Sequence, residues 1–317
     1  MTIKTSPILI AIFSLILISS CSEKSEFTGS KQVLISGSDS EALISRALIE
    51  AYKEQNGHNS AINLISTGTS QGISDFINGE CQVANASRPM NFNERRQAKA
   101  NGINPVEVII AYDAVGIITN PRLGVDSLSI DEIRLIYTGK IKNWKSVGGP
   151  DLEIQCYGRA QGSGTREYIE THVLHSTSMP TTISMTFTEE IIEAVENNLN
   201  AIGYVGVGYI MEDEGKPLTS IWPMNIYSED FPATSPWEKY KIQQGKYPLC
   251  RYLLQYFNGF PEGESMDFLQ FELSSKGQKI INSTGYFSLT EEQKTLNLQN
   301  GILCFADSIP QKNSTYK

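Results

Sequence analysis

Positive charge is in short supply. The chain carries 26 Lys and Arg against 35 Asp and Glu, a formal net charge of -9, and shows no basic stripe of the kind that neutralises a nucleic-acid backbone, which argues against a nucleic-acid partner. It does not argue against a small anion, because a buried ion responds to nearby dipoles and cations while distant surface charge is screened within about 8–10 Å. Histidine is scarcer still, with 3 in all. The pair His172 and His175 sits on a predicted helix without a third ligand nearby, and the cysteines are too widely spaced for a zinc knuckle. No metal and no other cofactor is therefore assigned. Gly-x-x-x-x-Gly-Lys-Ser/Thr is absent, so a nucleotide-type phosphate loop is not expected. No Gly-x-Ser-x-Gly nucleophile elbow occurs either. Beyond residue 18 no apolar run is long enough to span a bilayer.

What is present begins with an address. Lys4 precedes an apolar run from Ile8 to Ile18, interrupted only by Ser14 and followed by Ser19, Ser20 and Cys21. This pattern reads as a signal peptide over residues 1–20. Ile18-Ser19-Ser20-Cys21 resembles a bacterial lipobox, which implies lipid attachment at Cys21, an extracytoplasmic location and a membrane anchor. The polar residues 22–30 then form a tether, so that 21–30 links the anchor to the fold. In such a compartment Cys81, Cys156, Cys250 and Cys304 admit three disulfide pairings, none dictated by the sequence, with free thiols as the alternative.

The remaining chain is longer than one core usually organises and suits two lobes. Three times a β-like run leads through a turn of small residues into a helical pattern. Gln32–Ser36 leads through Gly37-Ser38-Asp39-Ser40 into a helix with Ala42, Leu43, Ala47, Leu48 and Tyr52 on its pattern. Ala61–Ile65 leads through Ser66–Gly72 to Ile73, Phe76 and Ile77, and Leu152–Tyr157 leads through Gly158–Thr165 to a helix over Arg166–Leu174. Such alternation predicts an α/β protein with largely parallel sheets. Val106–Thr119, broken at Asp113, is long enough to pass from one lobe to another, and Tyr247–Phe257 is a candidate return. The expected division is residues 31–112 with 256–317 as one lobe and 113–255 as the other. Ser129-Ile130-Asp131-Glu132 has the form of a capping box, and residues 212–246, rich in Pro, Ser and charge, read as a surface excursion.

Helix N-termini leave unpaired N–H groups and a partial positive charge. Glycine lets the backbone approach a ligand, and Ser and Thr hydroxyls add donors. Ser38, Ser40, Thr69, Ser70, Ser163 and Thr165 lie at or beside three such starts, with Arg159 just upstream of the third. Each alone is also what ordinary helix capping requires. Together they point to a shared anion.

At these residues the chain is similar to the phosphate-binding proteins of bacterial ABC phosphate transporters, the PstS family. Gly162-Ser163-Gly164-Thr165 preceded by Arg159, Tyr137-Thr138-Gly139-Lys140-Ile141-Lys142-Asn143-Trp144, Ile202-Gly203-Tyr204-Val205-Gly206, and Leu273–Gln278 with Gly285-Tyr286 carry the resemblance. It implies a two-lobed periplasmic-binding-protein fold, type II, with crossover strands, which closes on inorganic phosphate and delivers it to an ABC permease. A monomer without enzymatic activity is expected. It also implies that Ser40 and the backbone of Glu41, then Thr69 and Ser70, then Arg159, Ser163, Gly164 and Thr165 contact the anion, with Ser38 and Asp39 beside them. Two departures stand out. Arg88, in Ala86-Ser87-Arg88-Pro89, stands where many members have an Asp that accepts the phosphate proton; it is a candidate to supply charge to the anion beside Arg159, and Asp39 is either a substitute acceptor or only a helix cap. Gln161 replaces an acidic residue that steadies the Arg. Sulfate or another tetrahedral oxyanion is the nearest alternative ligand. A phosphate-ester hydrolase using Ser163 or Thr165, and an adhesin that has lost the site, are the others.

Overall fold

The computed structural model of the protein describes residues 32–56, 60–211 and 216–301. The apolar run, Cys21, the tether and Cys304 lie outside the described residues.

The first half alternates strand and helix: β1 (Val33–Gly37), α1 (Ala42–Gln55), β2 (Ile62–Ser66), α2 (Thr69–Ile77), β3 (Val83–Ala86) and α3 (Phe92–Ala100). A long strand, β4 (Pro105–Thr119), leads to β5 (Ser127–Ser129), α4 (Ile130–Tyr137), β6 (Gln155–Arg159), α5 (Gly164–His172), β7 (Ile183–Met185), α6 (Thr188–Asn197) and β8 (Ala201–Gly206). Then come β9 (Trp222–Pro223), β10 (Asn225–Tyr227), α7 (Lys239–Gln243), β11 (Cys250–Asn258), α8 (Glu264–Leu273), α9 (Ser275–Ser283) and α10 (Glu291–Gln299). The helices begin where capping chemistry places them. Ser129 accepts from the Glu132 N–H at 3.1 Å while its own N–H donates to the Glu132 carboxylate at 2.8 Å, which is the expected capping box at α4. On α1, Ile44, Leu48, Ile49 and Tyr52 recur at helical spacing and are buried.

The main sheet runs in the order β2-β1-β3-β11-β4-β8-β6-β7. It is parallel in β2-β1-β3 and in β8-β6-β7, as expected. Where β11 and β4 join the two halves the pairing is antiparallel instead. The two strands carry the chain out and back, so they run in opposite directions.

Two separate cores flank this junction. Val108–Ala111 of β4 pack with β1, β3, α1 and α8, whereas Ala114, Val115, Ile117 and Ile118 pack with α4, α5 and β8. Asp113, the polar break in the sequence, marks the change. The stretch read as a surface excursion is in fact anchored: Ile221, Met224, Ile226 and Ile242 are buried in the second core. Apolar residues spread thinly among Pro, Ser and charge still reach inward at each turn. Cys81, Cys156 and Cys250 are free thiols, and burial pushes each up to about 12.

Candidate functional site

Four loops leave the C-terminal ends of parallel strands β1, β2, β3 and β6, where open α/β sheets bind ligands, and they converge. Ser40 Oγ lies 2.8 Å from Thr165 Oγ1, and Thr69 Oγ1 lies 3.2 Å from Ser87 Oγ. The Ser70 N–H donates to the Gly162 carbonyl at 3.0 Å, closing the second loop on the fourth. Gly162 takes φ +84°, a conformation that side chains rarely adopt. Gly164 is required by space: a Cβ there would come within 2.4 Å of Ser87 Oγ and 2.5 Å of Thr69 Oγ1. The first loop is held by two tyrosines, Tyr209 donating to the Asp39 carbonyl at 2.7 Å and Tyr286 to the Ser40 carbonyl at 2.6 Å. Ser163 caps α5, accepting from the Arg166 N–H at 3.5 Å.

Beside this cluster lies a cavity of about 400 Å³ lined by Asp39, Thr67, Gly68, Gln71, Arg159 and Phe187 among others. Arg159 ends β6 and is 4% exposed. Its Nη1 donates to Asp39 Oδ2 and to Thr188 Oγ1, both at 2.7 Å, and Nη2 donates to the Thr186 carbonyl at 2.8 Å. A guanidinium has five N–H donors. Nε and one hydrogen of Nη2 have no protein partner among the described residues, so Arg159 keeps two donors in a buried place where unmet donors are costly. Asp39 also accepts from Thr188 Oγ1 at 2.8 Å and, on Oδ1, from Ser66 Oγ at 3.1 Å. It is the carboxylate that pairs with Arg159, a role that Gln161 cannot fill.

The same count gives Arg88 a different place. Nε pairs with Glu167, Nη1 donates to the Pro89 carbonyl at 3.0 Å and Glu94 Oε2 at 2.8 Å, and Nη2 donates to Ser70 Oγ at 2.9 Å and Glu94 Oε1 at 2.8 Å. All five donors are committed, and Arg88 does not line the cavity; Ser38, Ser40, Glu41, Thr69, Gly164 and Thr165 do not line it either, whereas Asp39, Ser70, Arg159 and Ser163 do. Expected to meet the anion directly, it instead ties Ser70 and the first core to Glu167 on α5. The backbone of Glu41 is also engaged locally, its N–H donating to the Ser38 carbonyl at 3.2 Å. Its side chain is buried with Oε1 unpartnered, as is Ser38 Oγ. Burial, opposed by nearby Arg251, pushes the Glu41 carboxyl well above the usual range. Among the described residues no His, Cys, Asp and Glu group is arranged to hold a metal.

The model of a PBP superfamily domain matches residues 22–276. The chain belongs to the PBP superfamily. Within it, the chain is 29% identical over 275 residues to the phosphate-binding protein PstS of Bacillus subtilis, covering 86% of each. It is 29% identical over 280 residues to that of Staphylococcus saprophyticus, covering 85% of each. A Clostridium perfringens protein solved with bound phosphate superposes with a TM-score of 0.71 at 29% identity, over 82% of this chain and 100% of that one. An ABC-type phosphate transport receptor from Vibrio cholerae gives 0.65 at 26% identity, over 81% and 100%.

For a PBP superfamily member, the loops facing the cleft were readable from turn chemistry, and one site-facing residue was not. Arg251 on β11 donates from Nη1 to Thr165 Oγ1 at 3.0 Å. No turn signal accompanies it, since it lies within an otherwise apolar strand.

Proposed function

We propose that this chain captures inorganic phosphate between its two lobes and delivers it to an ABC permease. The observation that carries the reading is the pair of uncommitted donors on buried Arg159, beside the hydroxyls of Ser40, Thr69, Ser163 and Thr165 and the N-terminus of α5. The similarity to PstS proteins and to a structure with bound phosphate supports the same ligand. Binding needs no covalent chemistry. Thr165 Oγ1 is bonded to Ser40 and Arg251, and Ser163 caps its own helix, so neither hydroxyl has a general base.

Among the described residues Asp39 is the one carboxylate lining the cavity. Its Oδ1 accepts only from Ser66 among the described residues and keeps capacity for the proton of hydrogen phosphate. Sulfate, with no proton at neutral pH, would set oxygen against oxygen there. Asp39 thus takes over, in this reading, the discrimination that Arg88 cannot provide. The signal and lipobox pattern further supports an extracytoplasmic protein held by a lipid at Cys21; no described helix is long and apolar enough to cross a membrane. Titration with phosphate and with sulfate tests the ligand, and mass spectrometry of the membrane-extracted protein tests acylation.

A further inference from the structure

β4 and β11 exchange cores at one level of the sheet. Val108–Ala111 and Leu253–Phe257 belong to one core, Ala114–Ile118 and Leu249 to the other. At that level Asp113 and Arg251 are cross-strand partners, 0% and 6% exposed. Arg251 Nε and Nη2 both donate to Asp113 Oδ2, at 3.0 and 2.9 Å, and the Val207 N–H donates to Oδ1 at 3.3 Å. Gly206 makes room for the pair, since a Cβ there would lie 3.2 Å from Asp113 Oδ2.

The third contact is the informative one. Arg251 Nη1 reaches Thr165 Oγ1 in the first turn of α5, and Tyr168 one turn on lies beneath the guanidinium with its ring centroid 5.8 Å from Cζ. A cation at a helix N-terminus meets the positive end of the helix dipole, which is destabilising for the protein alone. Tying two strands together requires only Asp113. The placement makes sense if an anion shares the end of α5. By donating to Thr165 Oγ1, Arg251 occupies an acceptor position of that hydroxyl, and with Ser40 Oγ as the donor of their 2.8 Å contact the Thr165 proton is left to donate, with greater polarity.

We propose that Arg251 is a positioning residue for the oxyanion: it orients the Thr165 hydroxyl, while its pairing with Asp113 ties the occupied loop to the crossover strands. The inference rests on the phosphate reading.

The test is a double-mutant cycle in the purified protein, with inorganic phosphate as the titrant. Asp113→Asn with Arg251→Met removes both buried charges together, which avoids leaving one unpaired. Thr165→Val removes the hydroxyl. Each change is expected to weaken phosphate binding about 10- to 100-fold, the range for a hydrogen bond to a charged group. The combined variant is expected to be weaker than either parent variant by less than about threefold, because both disable one unit. Multiplicative losses, or a folded Asp113→Asn/Arg251→Met variant that binds like the parent, would overturn the proposal. If that variant does not fold, Arg251→Lys decides: its ammonium keeps the charge but not the fork, so the proposal expects at least a fivefold loss and fails if there is none. A parent that binds phosphate beside unaffected variants removes only this inference, whereas a parent that binds no phosphate removes the reading beneath it as well.

Discussion

Replacing Arg159 should abolish most phosphate binding, by an amount that its donor count sets. Nε and one Nη2 hydrogen are the groups left for a ligand. Hydrogen bonds to a charged partner contribute about 1.5–3 kcal/mol each, so two of them amount to roughly 3–6 kcal/mol, or about a 10²- to 10⁴-fold change in Kd. Arg159→Met alone is a poor test, because it strands the buried carboxylate of Asp39, 7% exposed, without its ion partner. Breaking a buried pair that way costs about 3–5 kcal/mol of stability. The informative variant is Arg159→Met with Asp39→Asn, in which Ser66 and Thr188 can still meet the side-chain oxygen. Calorimetric titration should show the full loss in this double variant while its thermal midpoint stays above that of Arg159→Met. Phosphate affinity within fivefold of the parent would refute the assignment of Arg159 as the principal cation.

Three further outcomes are expected. Gly164→Ala places a methyl group within 2.5 Å of two hydroxyl oxygens; overpacking of this kind costs about 1–3 kcal/mol, and titration should show phosphate binding at least tenfold weaker, with an unaltered Kd contradicting the close approach of the loops. Glu167→Gln removes the charge that Arg88 reaches across to and weakens the acceptor for Ser70. A partly exposed pair of this kind contributes about 1 kcal/mol, so stopped-flow release of phosphate should quicken by about fivefold with association nearly unchanged, and an unchanged release rate would count against a tie between the lobes. Glu272 is fully buried, and desolvation, partly opposed by Gln255, raises its carboxyl to about 8. The folded state therefore binds this proton more tightly than the unfolded chain, and its contribution is present in acid and lost as pH rises from about 4.5 towards 8. Glu272→Gln should gain stability over the parent progressively across that window, by on the order of a few kcal/mol, in denaturant unfolding at pH 5, 6.5 and 8; a pH-independent difference would contradict the burial argument.

Local chemistry explains what the sequence disclosed. Gly37, Gly68 and Gly162 take positive φ at the loop turns, and Ser, Thr and Gly cannot be exchanged freely there, so strand-to-helix turns read clearly. Asp113 interrupts an apolar strand, and the interruption coincides with the change of cores. Pairings across long separations were not legible. Arg88 reads as a free cation until Glu94 and Glu167 close on it, the latter 79 residues away. Arg159 lacks a visible acid until the fold brings Asp39 from 120 residues earlier. Arg251 gives no local signal, because both its partners, Asp113 and Thr165, are distant in sequence and adjacent only through the sheet. Residues 221–242 mislead for another reason: average polarity conceals four well-placed apolar anchors.

The most direct measurement is calorimetric titration of the purified protein, stripped of bound ligand, with phosphate and then sulfate at neutral pH. Tight phosphate binding with sulfate far weaker is the expected result if, as proposed, Asp39 accepts the proton that only phosphate carries. Silence from both anions would contradict the oxyanion site, and sulfate binding as tight as phosphate would contradict the role given to Asp39.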